Sequence, residues 1–214
     1  MFILNNDFYF PPAETADEHG IVAIGGDLST ERLLLAYRSG IFPWYNEEEP
    51  IVWWNPDPRF VLFPENIKVS SSMQTVLNNC KFRFTINKAF AEVIKQCKTI
   101  YRKEQEGTWI SPAVQAAYTK LHALGYAHSA EAWLNGKLAG GLYGVRIGKV
   151  FFGESMFSKE NNASKFAFIK YIQQLQKENV SLIDCQVYTP HLESLGAGMI
   201  ERKKFLELLD IAVK

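Results

Sequence analysis

The sequence predicts an α+β fold whose second half is a mixed, mainly antiparallel sheet flanked by helices. Three observations carry that expectation. Ala127–Leu134 and Lys137–Ile147 are long extended runs joined by Asn135-Gly136, the strongest short hairpin signal. Gly148-Lys149 then turns the chain into a third extended run, Val150–Glu154. Asn162 to Lys177 is apolar on one helical face, and Val180–Val187 follows as a strand around Leu182-Ile183. Antiparallel strands, a helix and a returning strand bury their apolar faces as a sheet with helices packed on it.

The elements before the hairpin are shorter. Gly25-Gly26-Asp27 leads to Ser29, an N-cap residue, and the run Arg32-Leu33-Leu34-Leu35-Ala36-Tyr37 predicts a helix stopped at Gly40. Prolines at 43, 50, 56 and 58 forbid a long helix through the aromatic stretch that follows. From about Asn87, the spacing of Phe90, Val93, Ile94 and Cys97 predicts one buried helix face. Ser111-Pro112 opens another helix, closed by Gly125, and Glu201 to Val213 forms the last one. The expected division is a small N-terminal α/β domain over residues 1–106 and a second domain over 107–214.

Composition bounds the function. Apolar residues make up 47% of the chain, which excludes a mainly disordered protein. No apolar run reaches the length of a membrane span, and Met1 to Phe10 lacks a basic start or small-residue cleavage site, so neither membrane nor export is expected. Cys80, Cys97 and Cys185 form no CxxC pair, which fits a reduced, cytoplasmic setting without structural zinc. Formal charge is zero but unevenly spread. Residues 1–58 hold ten acids and two bases; residues 59–103 hold nine bases against Glu65 and Glu92. That asymmetry marks 59–103 as a candidate polyanion-binding segment, with solvated helix faces the equal alternative.

Three places put polar groups or glycines where the pattern predicts core. In Leu182-Ile183-Asp184-Cys185-Gln186, strand alternation points Asp184 and Gln186 to one face. Burying that pair is costly without a partner, so it is either a ligand-facing site or a satisfied structural pair. Glu154, beside Gly153 and framed by Phe151-Phe152 and Met156-Phe157, is a ligand-facing acid or a rim glutamate. Gly140, Gly141 and Gly144 weaken a strand unless a bulge or a closely approaching substrate needs the space. They open no helix, which argues against a dinucleotide site. Trp44, Trp53, Trp54, Trp109 and Trp133 fit ordinary core, although loop settings make Trp44 and Trp109 candidate pocket walls. The four histidines lack metal-ligand spacing, and no serine or cysteine sits in a triad context.

Further strings add what pattern alone does not. Gly25-Gly26-Asp27-Leu28-Ser29, Gly40-Ile41-Phe42-Pro43-Trp44, Trp53-Trp54 with Pro56-Asp57-Pro58-Arg59, and Gly107-Thr108-Trp109-Ile110 run in order. They are followed by Gly140-Gly141 with Tyr143-Gly144, Gly153-Glu154-Ser155-Met156-Phe157-Ser158, Asn162-Ala163-Ser164-Lys165, Leu182–Gln186 and Ser194-Leu195-Gly196-Ala197. Together they resemble the leucyl/phenylalanyl-tRNA–protein transferase family over nearly the whole chain.

The resemblance implies a GNAT-like acyltransferase domain behind the N-terminal domain. It implies transfer of Leu or Phe, less readily Met, from aminoacyl-tRNA to the N-terminal Arg or Lys of an acceptor protein, marking it for degradation. An aminoacyl ester is already activated, so no cofactor, ATP or metal is implied, and a cytoplasmic monomer is expected. By the same resemblance Asp184 and Gln186 lie at the reacting amine and Glu154 near the donor α-amino group; by its chemistry Asp184 can bind the ammonium form and orient Gln186. Trp44, Trp109, Leu142, Met156, Tyr171 and Ile183 would line the donor side-chain pocket. The family's basic cluster after the Ser-x-Ser-Met stretch is missing here, since Ser70–Asn79 holds no base. The tRNA contacts then fall to Lys68, Lys81, Arg83 and Lys88. Two alternatives remain. A CoA-dependent N-acyltransferase would need an Arg/Gln-x-x-Gly-x-Gly/Ala turn for pyrophosphate, and Val150–Lys165 has none. A non-catalytic tRNA- or peptide-binding protein would need no polar pair at 184 and 186.

Overall fold

A computed structural model describes residues 2–99 and 109–214. Arg102, Lys103, Gly107 and Thr108, and the expected boundary at 106/107, lie outside the described residues.

The first sheet has four strands, β1 (Phe2–Leu4), β2 (Ile21–Gly25), β3 (Phe42–Pro43) and β4 (Val52–Trp54), in the order β1-β2-β4-β3. Helix α1 (Thr30–Arg38) follows β2, with Ser29 Oγ accepting the Arg32 N–H as its cap. The second sheet has seven strands: β5 (Arg59–Leu62), β6 (Arg83–Ile86), β7 (Ala127–Leu134), β8 (Lys137–Ile147), β9 (Val150–Ser158), β10 (Leu182–Gln186) and β11 (Gly198–Ile200). Their order is β11-β5-β10-β9-β8-β7-β6. Among the described residues only β9 and β10 pair in parallel within it, and parallel neighbours need a crossover. The other helices are α2 (Ser71–Asn78), α3 (Phe90–Thr99), α4 (Pro112–Ala123), α5 (Ala163–Lys177), α6 (Pro190–Glu193) and α7 (Arg202–Ala212). Of these, α5 supplies the crossover.

Local chemistry explains the helices and the hairpin. Asn135 and Gly136 take φ of 50° and 76°, both positive as a two-residue type I′ turn requires. Ser111 caps α4 by accepting the Val114 N–H, with Pro112 in the first turn. Phe90, Val93, Ile94 and Cys97 are the buried face of α3.

Two apolar cores lie on opposite faces of the large sheet, and strand alternation sorts residues between them. Tyr143, Val145, Val150, Phe152 and Leu182 face a core shared with α1, α3, α4, α7 and the four-stranded sheet. Leu142, Phe151, Ile183 and Cys185 face the core under α2 and α5. The N-terminal elements therefore share a core with the large sheet.

Several features differ from the sequence expectation. Strands β5 and β6, from residues placed in the first domain, pair inside the large sheet, so a division at 106/107 would cut through it; the two sheets separate between β4 and β5. Strand β9 runs on to Ser158 because Ser155–Ser158 pairs with Gly140–Tyr143. For the glycines of β8, the bulge that the sequence allowed is present at Gly144, and protein packs closely on all three. A Cβ on Gly140 would sit 2.7 Å from the Ala163 Cβ at the start of α5, and one on Gly144, at a break in register, 2.2 Å from the Phe152 carbonyl oxygen.

Candidate active site

The site forms where β9 and β10 run side by side. The two strands stay paired as far as Phe152 and Asp184. Beyond that point the register of β10 shifts between Asp184 and Gln186, and Gln186 takes a φ of 64°. A non-glycine residue in the left-handed region persists only where its surroundings hold it. Here the hold is Asp184, whose Oδ1 accepts the Gln186 backbone N–H at 2.9 Å.

Asp184 itself faces Arg59. Its two oxygens accept Arg59 Nε at 2.8 Å and Nη2 at 2.7 Å, and both side chains are fully buried. The Arg59 guanidinium is sandwiched between the Phe42 and Phe205 rings, 4.7 and 4.5 Å from their centroids. Of the two roles expected of Asp184, these contacts suit the orienting of Gln186, and Arg59 already provides the carboxylate with a cation. The carboxylate is committed to Arg59 and to the turn that carries Gln186.

Gln186 turns its side chain to β9 and donates from Nε2 to Glu154 Oε1 at 3.0 Å. Two phenols meet the same carboxyl group from the helices above it. Tyr37 Oη of α1 lies 2.7 Å from Oε1, and Tyr118 Oη of α4 lies 3.1 Å from Oε2. The two phenols also hydrogen-bond each other. Burial is the main reason that the Glu154 carboxyl is pushed up to about 7; the hydrogen bonds from Tyr37 and Tyr118 partly offset it, and the Asp184 charge adds to it. The same burial holds Tyr37 and Tyr118 far above the ordinary phenol range, so both are neutral.

Beside these groups lies a cavity of about 750 Å³. Glu154 and Gln186 reach its wall, as do Trp44, Trp109, Leu142, Met156 and Ile183. Trp44 sits at the mouth, 40% exposed, with its carbonyl accepting Trp54 Nε1 at 2.6 Å. Tyr171 is not on the wall. Its ring packs edge-on against Phe151 in the core under α5, and Phe168, one turn earlier, takes the place expected of it. Cys185 also touches the cavity, but burial raises its thiol far above neutrality, so it is no thiolate nucleophile at pH 7.

The four expected tRNA-contacting bases are exposed but do not converge. Arg83 lies on the edge strand β6, over the Trp133 ring at 5.7 Å, with Lys81 and Lys88 flanking that strand. Lys68 lies toward the other edge, its N–H donating to the Leu195 carbonyl just before β11. Arg59, counted with the basic segment, is interior.

Sequence reasoning missed Arg59, Tyr37 and Tyr118 as parts of the site. The two tyrosines sit at helical spacing among leucines and valines, where a phenol reads as core. Arg59 offered a faint signal, a lone base entering the apolar run Phe60-Val61-Leu62.

Fold and cavity together define the class, an α+β protein with a carboxyl–amide pair on the wall of an apolar cavity. Comparison with known proteins narrows the class to one family. The chain belongs to the leucyl/phenylalanyl-tRNA protein transferase family, whose model matches residues 61–210, while the model of that family's N-terminal domain matches residues 26–57. Among relatives named leucyl/phenylalanyl-tRNA–protein transferase, that of Flavobacterium johnsoniae is 56% identical over 209 residues, covering 98% of this chain and 99% of its own. That of Christiangramia forsetii is 54% identical over 211 residues, covering 98% and 100%. Solved structures give looser likenesses. L-PGS from Bacillus licheniformis has a TM-score of 0.44 at 12% identity, over 79% of this chain and 56% of its own. A GCN5-related N-acetyltransferase from Kribbella flavida has a TM-score of 0.40 at 9% identity, over 78% and 59%. The family assignment does not rest on them. Among the described residues, no helix is long and apolar enough to cross a membrane.

Proposed function

We propose that this chain transfers Leu or Phe, less readily Met, from aminoacyl-tRNA to the N-terminal Arg or Lys of acceptor proteins. The observation that carries this reading is the Glu154–Gln186 pair on the wall of an apolar cavity. The cavity volume falls within the range of about 300–1,000 Å³ typical of ligand sites. In this reading the donor side chain lies against Trp109, Leu142, Met156 and Ile183. Glu154 takes the donor α-amino group, and Gln186 faces the acceptor amine.

The chemistry is direct aminolysis. The acceptor nitrogen attacks the ester carbonyl, a C–N bond forms, the C–O bond to the tRNA ribose breaks, and the ribose oxygen leaves with a proton. The ester supplies the driving force, so no ATP is consumed. An N-terminal amine with pKa near ~8 is mostly protonated at neutral pH and must lose a proton first. Gln186 commits its NH₂ to Glu154, so its amide oxygen is the atom left to accept from the amine N–H. Placing amine and ester in near-attack geometry supplies much of the acceleration. Asp184 and Arg59 act behind Gln186, by fixing its backbone.

In the same proposal Lys68, Lys81, Arg83 and Lys88 contact the tRNA backbone, and the protein works as a cytoplasmic monomer. The product's bulky apolar N-terminus marks the acceptor for degradation. The test is labelled Phe-tRNA offered with an Arg-N-terminal protein, and labelled acetyl-CoA as the rival donor. Incorporation from Phe-tRNA without ATP is expected; incorporation from acetyl-CoA alone contradicts the proposal.

A further inference from the structure

The contacts around Glu154 fix a proton count. Tyr37, Tyr118 and Glu154 are joined pairwise, Tyr37 to Tyr118, Tyr37 to Oε1 and Tyr118 to Oε2, in a closed ring of three hydrogen bonds. Each hydrogen bond uses one proton. Two phenols bring two protons, and an ionised carboxylate brings none. With Glu154 ionised, one edge of the ring would set lone pair against lone pair in a buried place, where an unmade hydrogen bond is costly. With Glu154 as the neutral acid the count closes. The carboxyl donates to one phenol, that phenol to the second, and the second back to the other carboxyl oxygen. Gln186 Nε2 adds a fourth contact at Oε1 that suits either form.

We propose that Tyr37, Tyr118 and Glu154 form a proton-holding ring that keeps Glu154 neutral in the empty enzyme and gives up one proton when the donor's ammonium group enters. The inference rests on the reading above that Glu154 receives the donor α-amino group. The exchange balances simply. A neutral carboxyl and an ammonium ion become a carboxylate–ammonium pair, and the released proton goes to solvent. Both phenols then turn their protons onto the carboxylate, which stabilises the charge once a cation is there to pair with it.

The surroundings support this. Facing the carboxyl are Tyr37 from α1, Tyr118 from α4, and Asp184 and Gln186 from β10; Tyr143 of β8 packs edge-on against Tyr118. Asp184 is the charged group among them, and Arg59 holds it in a two-bond ion pair. Burial and the Asp184 charge both favour the neutral acid, consistent with a carboxyl raised to about 7. An entering ammonium adds the missing positive charge and reverses the balance. The ring thereby makes the site selective for a cationic donor head group at little cost to the empty state. Tyr37 and Tyr118 are positioning residues in this scheme, since both are fully buried and act through Glu154.

The test is calorimetric binding of a non-hydrolysable donor, the phenylalanyl amide of 3′-amino-3′-deoxyadenosine, in buffers of different ionisation enthalpy. About one proton should be released at pH 6, declining as pH rises through 7. In Glu154→Gln the release should vanish. In Tyr37→Phe the ring opens and an ionised Glu154 no longer leaves a contact unmade, so the release profile should move down in pH. Tight binding by wild type without proton release at pH 6 overturns the inference and leaves the donor site standing. Release that persists in Glu154→Gln overturns it as well. A Tyr37→Phe profile that stays unmoved or moves up removes the tyrosine from the ring. Absence of binding by wild type overturns the functional reading, and the inference with it.

Discussion

Gln186 and Glu154 meet across two parallel strands, Nε2 to Oε1 at 3.0 Å, with Gln186 held in a left-handed backbone conformation at φ 64°. The contact orients an amide that has no base strength of its own. Its value lies in direction, because an amide committed on its NH₂ side presents its oxygen on the other. What holds the strained turn is Asp184, and what holds Asp184 is Arg59. The buried ion pair thus reaches Gln186 through its backbone N–H.

Removing one member of that pair should unfold more than it inactivates. Asp184→Ala or Arg59→Ala leaves an uncompensated buried charge, and each should cost about 3–5 kcal/mol in urea unfolding. The double replacement Arg59→Met with Asp184→Leu should regain most of that stability, because the charges leave together. It should not regain turnover, because Gln186 has lost the acceptor that fixes its backbone. Full activity in a stable double variant would show that the turn at Gln186 does not depend on Asp184.

Glu154 should also write a pH dependence into stability. Its folded carboxyl is raised to about 7 from an ordinary value of 4.5, so the folded state holds the proton more tightly than the unfolded chain. Stability tied to this group is present below 4.5 and is lost as pH rises to about 7, on the order of 3 kcal/mol in all. Comparison of wild type with Glu154→Gln from pH 4.5 to 8 isolates this slope. The difference between them should level off above 7, and a difference constant across the range would contradict the assignment.

The cavity wall predicts donor discrimination. Leu142→Phe or Met156→Phe reduces the space beside Ile183 and should penalise Phe transfer more than Leu transfer, by about 1–3 kcal/mol in kcat/KM. Tyr171→Phe, by contrast, alters a core residue off the wall and should leave the Phe-to-Leu ratio unchanged. Competition between Phe-tRNA and Leu-tRNA reads both. Equal losses for the two donors would point to general damage.

The bases beside β6 predict salt-dependent tRNA affinity. Replacing Lys81 and Arg83 by Glu should raise KM for aminoacyl-tRNA. It should also flatten the log–log salt dependence by roughly 0.7–0.9 for each phosphate no longer neutralised. An aminoacyl-adenosine donor, having no tRNA body, should be used equally by variant and wild type. If the small donor suffers as badly as tRNA, the segment supports the active site instead.

Much of this is legible in the amino-acid sequence. The Asn135-Gly136 hairpin, the four apolar positions of α3 and the Ser111-Pro112 start announce themselves because local chemistry decides them. Strands β5, β6 and β11 do not. They are three or four residues long and owe their form to partners distant in sequence, so their own pattern holds little information. Asp184 and Gln186 stand out as polar groups in an apolar run, but strand alternation cannot show that a register shift gives one to Arg59 and the other to the cavity. Tyr37 and Tyr118 are hidden by an amphipathic residue type that serves core and site equally well.

The central claim is that Gln186 and Glu154, on the wall of the apolar cavity, carry out aminoacyl transfer. Its most direct measurement is the mass of an Arg-N-terminal peptide after incubation with Phe-tRNA and wild type or Gln186→Ala, with initial rates at saturating donor. The account predicts a gain of one phenylalanine residue on the peptide N-terminus with wild type. It predicts a rate lower on the order of 10²-fold with a variant that melts at the wild-type temperature. A folded Gln186→Ala that transfers phenylalanine at the wild-type rate would contradict it.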